Sequence, residues 1–161
     1  MELFEKIITL LDENKVEYTL TEHLPVFTSE EAAAVRKDFS LHQGAKAMVL
    51  KIVNSQLPID NCFVMCVLPG DRKIDFKKLK SVLGERDVTL ADPEEVEKTV
   101  GVKIGAVSPF GNLSDLKVLL DESIYDNEEI VFNAGDHCKS VKMKLSDYLR
   151  LVSPDRLSFS K

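Results

Sequence analysis

Ala45-Lys-Ala-Met-Val-Leu-Lys-Ile-Val53 and Asn61-Cys-Phe-Val-Met-Cys-Val-Leu68 flank the short stretch Leu57-Pro-Ile-Asp-Asn61, and this pair of runs decides the fold. Each is strand-length and rich in apolar residues, and the segment between them has turn chemistry, so the pair reads as two strands with a hairpin connection. The second run is apolar on both faces, which predicts a central strand covered on both sides. Leu68-Pro-Gly-Asp71 then stops it sharply.

Upstream, residues 2–14 carry Leu3, Phe4, Ile7, Ile8, Leu10 and Leu11 at the spacing of an amphipathic helix. Tyr18–Thr21 is a short strand. Thr28-Ser-Glu-Glu31 opens a second helix, with Thr28 as its cap, Glu31 placed to reciprocate and small alanines at 32–34. A loop follows around Ser40–Gln43. Downstream, Asp75 caps a helix running to Leu83 with Gly84 as its stop. Val88–Ala91 reads as a strand, and Asp92-Pro-Glu-Glu95 starts a helix that ends near Val100 with Gly101 as its cap. Lys117–Leu120, Glu129–Phe132 and Ser140–Met143 read as strands, Asn133-Ala-Gly-Asp136 as a turn, and Leu145–Val152 as a closing helix. Several connections are too short for crossovers, so the sum is an α/β domain with a mixed, partly antiparallel sheet, expected to span residues 1–161 as one unit.

Composition bounds the function. Hydrophobic residues make up 44% of the 161 and charged residues 30%, the balance of a globular protein. The longest apolar run, Cys62–Leu68, is far below membrane-spanning length, and Met-Glu-Leu-Phe-Glu-Lys lacks the basic start of a signal peptide, so cytoplasmic residence is the expectation. A net charge of −6 argues against gripping nucleic acid over a broad surface but allows a local basic rim. Lys73, Lys77, Lys78 and Lys80 follow Arg72, and Lys139, Lys142 and Lys144 cluster later; alone, each cluster reads as a solvated face. Cys62, Cys66 and Cys138 have no Cys-x-x-Cys spacing, and the first two read as small hydrophobes.

Within the α/β frame, Gly101-Val-Lys-Ile-Gly-Ala-Val-Ser-Pro-Phe-Gly111 is too glycine-rich for a buried strand and too apolar for a linker. It suits a backbone that passes close to something with its amides exposed. Lys46, flanked by alanines, shares a strand face with Met48 and Leu50, so it is expected to be partly desolvated. Such a lysine can hold a phosphate, polarise a carbonyl or act as a base; a strand-end lysine reaching to solvent is the alternative. His23, His42 and His137 stand at no metal-ligand spacing, and no serine sits in a nucleophile elbow. No G-x-G-x-x-G or Walker pattern follows a strand. A lysine, glycine-turn amides and the hydroxyls of Thr28 and Ser29 make an inventory for an oxyanion or phosphate, without a covalent protein intermediate.

Five segments taken together resemble the YbaK family, which includes freestanding relatives of the prolyl-tRNA synthetase editing domain. They are His23-Leu-Pro-Val-Phe-Thr-Ser-Glu-Glu-Ala-Ala33, Gly44-Ala-Lys-Ala47, Val67-Leu-Pro-Gly-Asp-Arg72, the Gly101–Gly111 segment and Phe132-Asn-Ala-Gly135. The resemblance implies a compact α/β domain with a curved mixed sheet surrounded by helices. It also implies hydrolysis, in trans, of the ester of mischarged aminoacyl-tRNA, with no metal or cofactor. Lys46 and Gly101 would carry the catalytic role. His23, Thr28, Ser29, Gly105, Ser108, Pro109, Gly111, Asn133, Ala134, Gly135 and His137 would bind substrate. The implied partners are the acceptor end of aminoacyl-tRNA and an aminoacyl-tRNA synthetase, with no membrane. Ala47 follows Lys46 where the alanine-specific branch carries asparagine, so cysteine, alanine, serine and threonine esters all stay open. A non-catalytic aminoacyl-tRNA or synthetase-binding module, and a small-molecule ester hydrolase, are the competing readings.

Overall fold

Leu3, Ile7 and Leu11 recur at helical spacing and form the buried stripe of helix α1 (Leu3–Glu13), which leads into strand β1 (Tyr18–Glu22). This computed structural model describes residues 1–35, 39–56 and 62–161. Thr28 Oγ1 accepts from the Glu31 amide at 3.1 Å and so caps helix α2 (Ser29–Val35). A single 3-10 turn at Leu41–Gln43 precedes β2 (Ala45–Val53). β3 (Phe63–Pro69) returns antiparallel to β2, with Lys46 opposite Leu68 and Lys51 opposite Phe63. The expected hairpin turn at Leu57–Asn61 lies outside the described residues.

The next two helices start as their sequences require. Asp75 accepts from the Lys78 amide at the head of α3 (Phe76–Leu83), and Gly84 ends it at φ 68°. β4 (Asp87–Leu90) follows, then α4 (Pro93–Val100), opened by the reciprocal capping box of Asp92 and Glu95. The remainder is β5 (Lys117–Asp121), β6 (Glu129–Asn133), β7 (Lys139–Lys144), α5 (Leu145–Val152) and β8 (Asp155–Leu157).

The strands divide between two sheets. Five form a mixed sheet in the order β4-β2-β3-β5-β8, in which β3, β5 and β8 run parallel to one another. Three form an antiparallel sheet, β1-β7-β6, joined to the first by the bridge between Gly44 and Val131. β3 is central, as its composition predicts, and its residues alternate between two cores. Met65 and Val67 pack with α1, α5 and the three-stranded sheet, whereas Val64, Cys66 and Leu68 pack with Ile74, Leu79 and Phe159. Burying each large side chain contributes about 1.5–3 kcal/mol. Cys66 is a filler here: it is fully buried, and burial pushes its thiol pKa up.

The last residues are clasped to the sheet by a charge. Asp121, at the end of β5, is buried and accepts five hydrogen bonds, from the Ser123 amide and hydroxyl, the Phe159 amide, and the Ser160 amide and hydroxyl. Arg72 Nε donates to Ser160 Oγ at 2.6 Å from the other side. β8 has no counterpart in the sequence reading, because Asp155-Arg-Leu157 is short, two of its three residues are exposed, and backbone pairing alone defines it. No helix among the described residues is long and apolar enough to cross a membrane.

Candidate active site

One edge of β2 is left half open. The Gly70 amide bonds the Gly44 carbonyl and the Ile52 amide bonds the Cys62 carbonyl, so the even-numbered residues of β2 turn their peptide groups to β3. The odd-numbered ones face away, and β4 meets them only from Leu50 onward, after Ala91 N–H donates to the Val49 carbonyl at 3.0 Å. Among the described residues, no named strand pairs with the Ala47 side of β2. The start of α2 and the Ile104–Gly105 loop line the same space as Ala47. Between them lies a cavity of about 370 Å³. Ala32, Ala33, Ala45 and Ala47 line it, and their small side chains keep the space open. Its polar lining is Thr28, Ser29, Glu30, Ser40, Lys46 and Asn133.

Lys46 is the cation in this lining. It is half-buried, on the sheet face shared with Met48 and Leu50. Its ammonium makes no hydrogen bond or ion pair with any described residue. Burial lowers its pKa from the ordinary lysine value, and Lys73 lowers it further; Glu30 and Asp71 offset this only in part.

The loop facing Lys46 is pinned from behind. Gly105 has φ 92°, and a Cβ there would lie 3.0 Å from His137 Nε2 and 3.3 Å from the Phe27 carbonyl oxygen. Asn133 Nδ2 donates to the Gly105 carbonyl at 2.5 Å, and His137 Nε2 donates to the Ile104 carbonyl at 3.0 Å. The His137 ring also packs on Phe27, with centroids 4.6 Å apart. His137 thus supports the wall from outside the cavity.

The structure brings Lys46, Thr28, Ser29, Gly105 and Asn133 to one cavity, and places the other expected residues elsewhere. Gly101 lies outside it: it is the exposed C-cap of α4 at φ 80°, and a Cβ there would meet nothing within 4 Å. Its glycine serves a left-handed helix end. Ser108 is buried, its Oγ accepting from the Phe110 amide, and the Pro109 carbonyl accepts from Tyr148 Oη at 2.6 Å. Gly111 packs against Val118 and Met65 in the core. Ala134 is buried outside the cavity, and Gly135, at φ 75°, lets the turn approach Leu3 and Phe4 of α1. His23 bridges the Leu24 carbonyl and Ser140 Oγ, each at 2.7 Å, and lines nothing. The loop 101–111 therefore has two jobs: its front forms the wall, its back fills the core.

Other contributors had no separate signal. Glu30 supplies the carboxylate of the lining, and Phe27 (60% exposed) and Ile104 (50% exposed) line it as well. Gly70 lets β3 end against the rim, since a Cβ there would lie 2.8 Å from the Leu41 carbonyl oxygen and 3.2 Å from Ser29 Cβ. The Leu-Pro-Gly-Asp stretch holds that signal, which the sequence shows as a strand stop and as one of the five family segments.

An α/β fold with a half-open strand edge, a desolvated lysine and a glycine-turn wall frames a cavity with a largely apolar lining. Residues 23–151 match the aminoacyl-tRNA editing domain, and the chain belongs to that family. Over 158 residues it is 33% identical to the multifunctional Ser/Thr-tRNA deacylase ProXp-y of Escherichia coli K12, covering 98% of this chain and 92% of that protein. It is 27% identical over 172 residues to the prolyl-tRNA editing protein ProX of Acetoanaerobium sticklandii, covering 99% and 96%. Among solved structures, a candidate trans-editing enzyme for prolyl tRNA synthetase superposes with a TM-score of 0.82 at 19% identity, covering 100% and 98%, which supports the shared fold.

Proposed function

We propose that the chain is a hydrolase of mischarged aminoacyl-tRNA, acting in trans, and that the aminoacyl group sits in the cavity beside Lys46. The observation that carries this is Lys46 itself. A half-buried lysine with no described partner, in a cavity with an open strand edge, is poised for an anion or a polarised oxygen from elsewhere. Its ammonium would hold the ester carbonyl or the terminal phosphate, and the Ala47 N–H, on the open strand edge, would be a second donor. Water then adds to the carbonyl carbon, the ester C–O bond breaks, and the departing ribose hydroxyl takes the proton. The products are a free amino acid and an uncharged tRNA.

We assign the substrate side chain to the serine or threonine class. The floor of Ala45, Ala47, Val49 and Val107 leaves room for a small group, and the Ser29 hydroxyl lines the cavity for a polar one, while the hydroxyls of Thr28 and Ser40 are engaged as caps. A pocket that hydrogen-bonds a substrate hydroxyl rejects the analogue lacking it far more strongly than an apolar pocket rejects one methylene. The relative named a Ser/Thr-tRNA deacylase supports the same assignment. The acceptor end of tRNA, brought by an aminoacyl-tRNA synthetase, is the partner this reading calls for, in the cytoplasm, with residues 1–161 acting as one domain.

The test is deacylation of tRNAs carrying serine, threonine, alanine and cysteine, by wild type and Lys46→Ala in parallel. Hydrolysis of seryl and threonyl esters, abolished by the substitution, is the expected result. Full turnover by Lys46→Ala would remove Lys46 from the mechanism, and no hydrolysis of any ester would overturn the reading.

A further inference from the structure

The segment Arg72–Lys80 carries five cations and a single acid, Asp75, in a chain of net charge −6. Outside that segment, six cations are paired among the described residues: Lys51 with Glu95, Lys117 with Asp155, Lys139 with Asp136, Lys142 with Glu129, Arg150 with Asp147 and Arg156 with Glu122. Among the described residues, no carboxylate lies within 4.0 Å of the amines of Lys73, Lys77, Lys78 or Lys80. The nearby acids are engaged. Asp75 accepts from the Lys78 amide as the cap of α3, and Asp71 is bonded to His42 Nδ1 at 2.9 Å.

The backbone turns Lys73, Lys77 and Lys78 outward and brings Lys73 near the site. Lys73 exchanges two hydrogen bonds with Lys161, which turns Ile74 into the core and Lys73 to solvent. Leu79, with Phe76 and Leu83, packs onto the sheet, leaving Lys77 and Lys78 exposed. That sheet face is the one onto which Lys46 projects with Met48 and Leu50, and Lys73 is near enough to act on Lys46 electrostatically. The segment starts just beyond Gly70 at the cavity rim, and α3 extends it by about 12 Å.

We infer that this basic segment is the docking surface for the phosphodiester backbone of the acceptor stem whose aminoacylated end enters the cavity; the inference rests on the deacylase reading. It reconciles an acidic protein with a polyanionic substrate. Contact is confined to one local rim, and the rest of the surface repels the tRNA body. Phosphate contacts of this kind position the substrate without reading its sequence.

The experiment uses the full chain with Lys77→Ala/Lys78→Ala and Lys77→Glu/Lys78→Glu, both at exposed positions. Binding of a labelled, uncharged acceptor-stem hairpin is measured across salt concentrations, alongside hydrolysis of the matching aminoacyl-tRNA and of aminoacyl-adenosine. Hairpin affinity is expected to fall about tenfold for the alanine variant and further for the glutamate variant, with the slope of log K against log salt shallower by about 1–2. Hydrolysis of aminoacyl-tRNA should fall at least fivefold more than that of aminoacyl-adenosine. Wild-type hairpin affinity and salt slope in both variants, or no hairpin binding by the wild type, would overturn the docking surface. Failure of the wild type to hydrolyse aminoacyl-adenosine and aminoacyl-tRNA strikes the deacylase reading separately, since hairpin binding needs no catalysis.

Discussion

Asp121 and Lys46 are two charges on one sheet, and the protein treats them oppositely. Burial alone would raise the Asp121 pKa, but hydrogen bonds from Ser123, Phe159 and Ser160 outweigh it and hold the carboxyl below the ordinary aspartate value. Lys46 receives no such hydrogen bonds: burial lowers its pKa, Glu30 and Asp71 offset this only in part, and no described group accepts from its ammonium. A charge whose bonds are all made is structural, because nothing is left over for a ligand. A charge left desolvated and unpaired costs stability, and it persists where an external partner completes it.

Four substitutions would break or sharpen this contrast. The largest effect is expected from Lys46→Ala, with deacylation slowed about 1000-fold, or about 4 kcal/mol in the barrier, and a thermal midpoint no lower than wild type. The ammonium form is the proposed reactive one, and its pKa is depressed. The wild-type rate should therefore fall with rising pH below the ordinary lysine value of about 10.4, read from a pH–rate profile. A destabilised Lys46→Ala with normal turnover per folded molecule would make Lys46 another Asp121.

Asp121→Ala should do the reverse, costing about 3 kcal/mol in urea unfolding by orphaning buried donors, with near-normal turnover of the folded fraction. The sign of its pH dependence follows from a depressed folded pKa. The stabilisation is present above the unfolded value of about 3.9 and is lost as pH falls through the folded value, so the deficit of the variant shrinks in acid.

Gly105→Ala tests the wall between these extremes. A positive φ and a Cβ at 3.0 Å from His137 predict a loss of about 1–2 kcal/mol together with a raised KM, separable by denaturation and steady-state kinetics. The smallest effect is expected at His42. Partial burial would lower its pKa, but the carboxylates of Asp71 and Asp126 prevail and raise it. Stability from a raised histidine is present below about 6.5 and lost as pH rises through the folded value. His42→Gln should therefore lower the thermal midpoint more at pH 5.5 than at pH 8.5.

The site was only partly legible in sequence. Lys46 stood out because alternation along β2 put an ammonium among apolar neighbours, and Thr28 because a cap is a local pattern. Gly101 and Gly105 look alike in the sequence, yet one ends a helix in open solvent and the other presses on His137. His137 itself gave no sign of its bond to the Ile104 carbonyl, 33 positions away.

By itself the sequence determined the elements: the bounds of β2 and α5, the caps of α3 and α4, and the central burial of β3. These follow from spacing, capping and hydrophobic pattern within a few residues. Tertiary structure alone decided that the strands split into two sheets and that β4 joins β2 only from Leu50, leaving the edge beside Lys46 open. It also decided which glycine touches the cavity and that the tail is clasped by Asp121. Each of those outcomes is a meeting of segments far apart in the chain, where packing and pairing choose among arrangements that local pattern leaves equal.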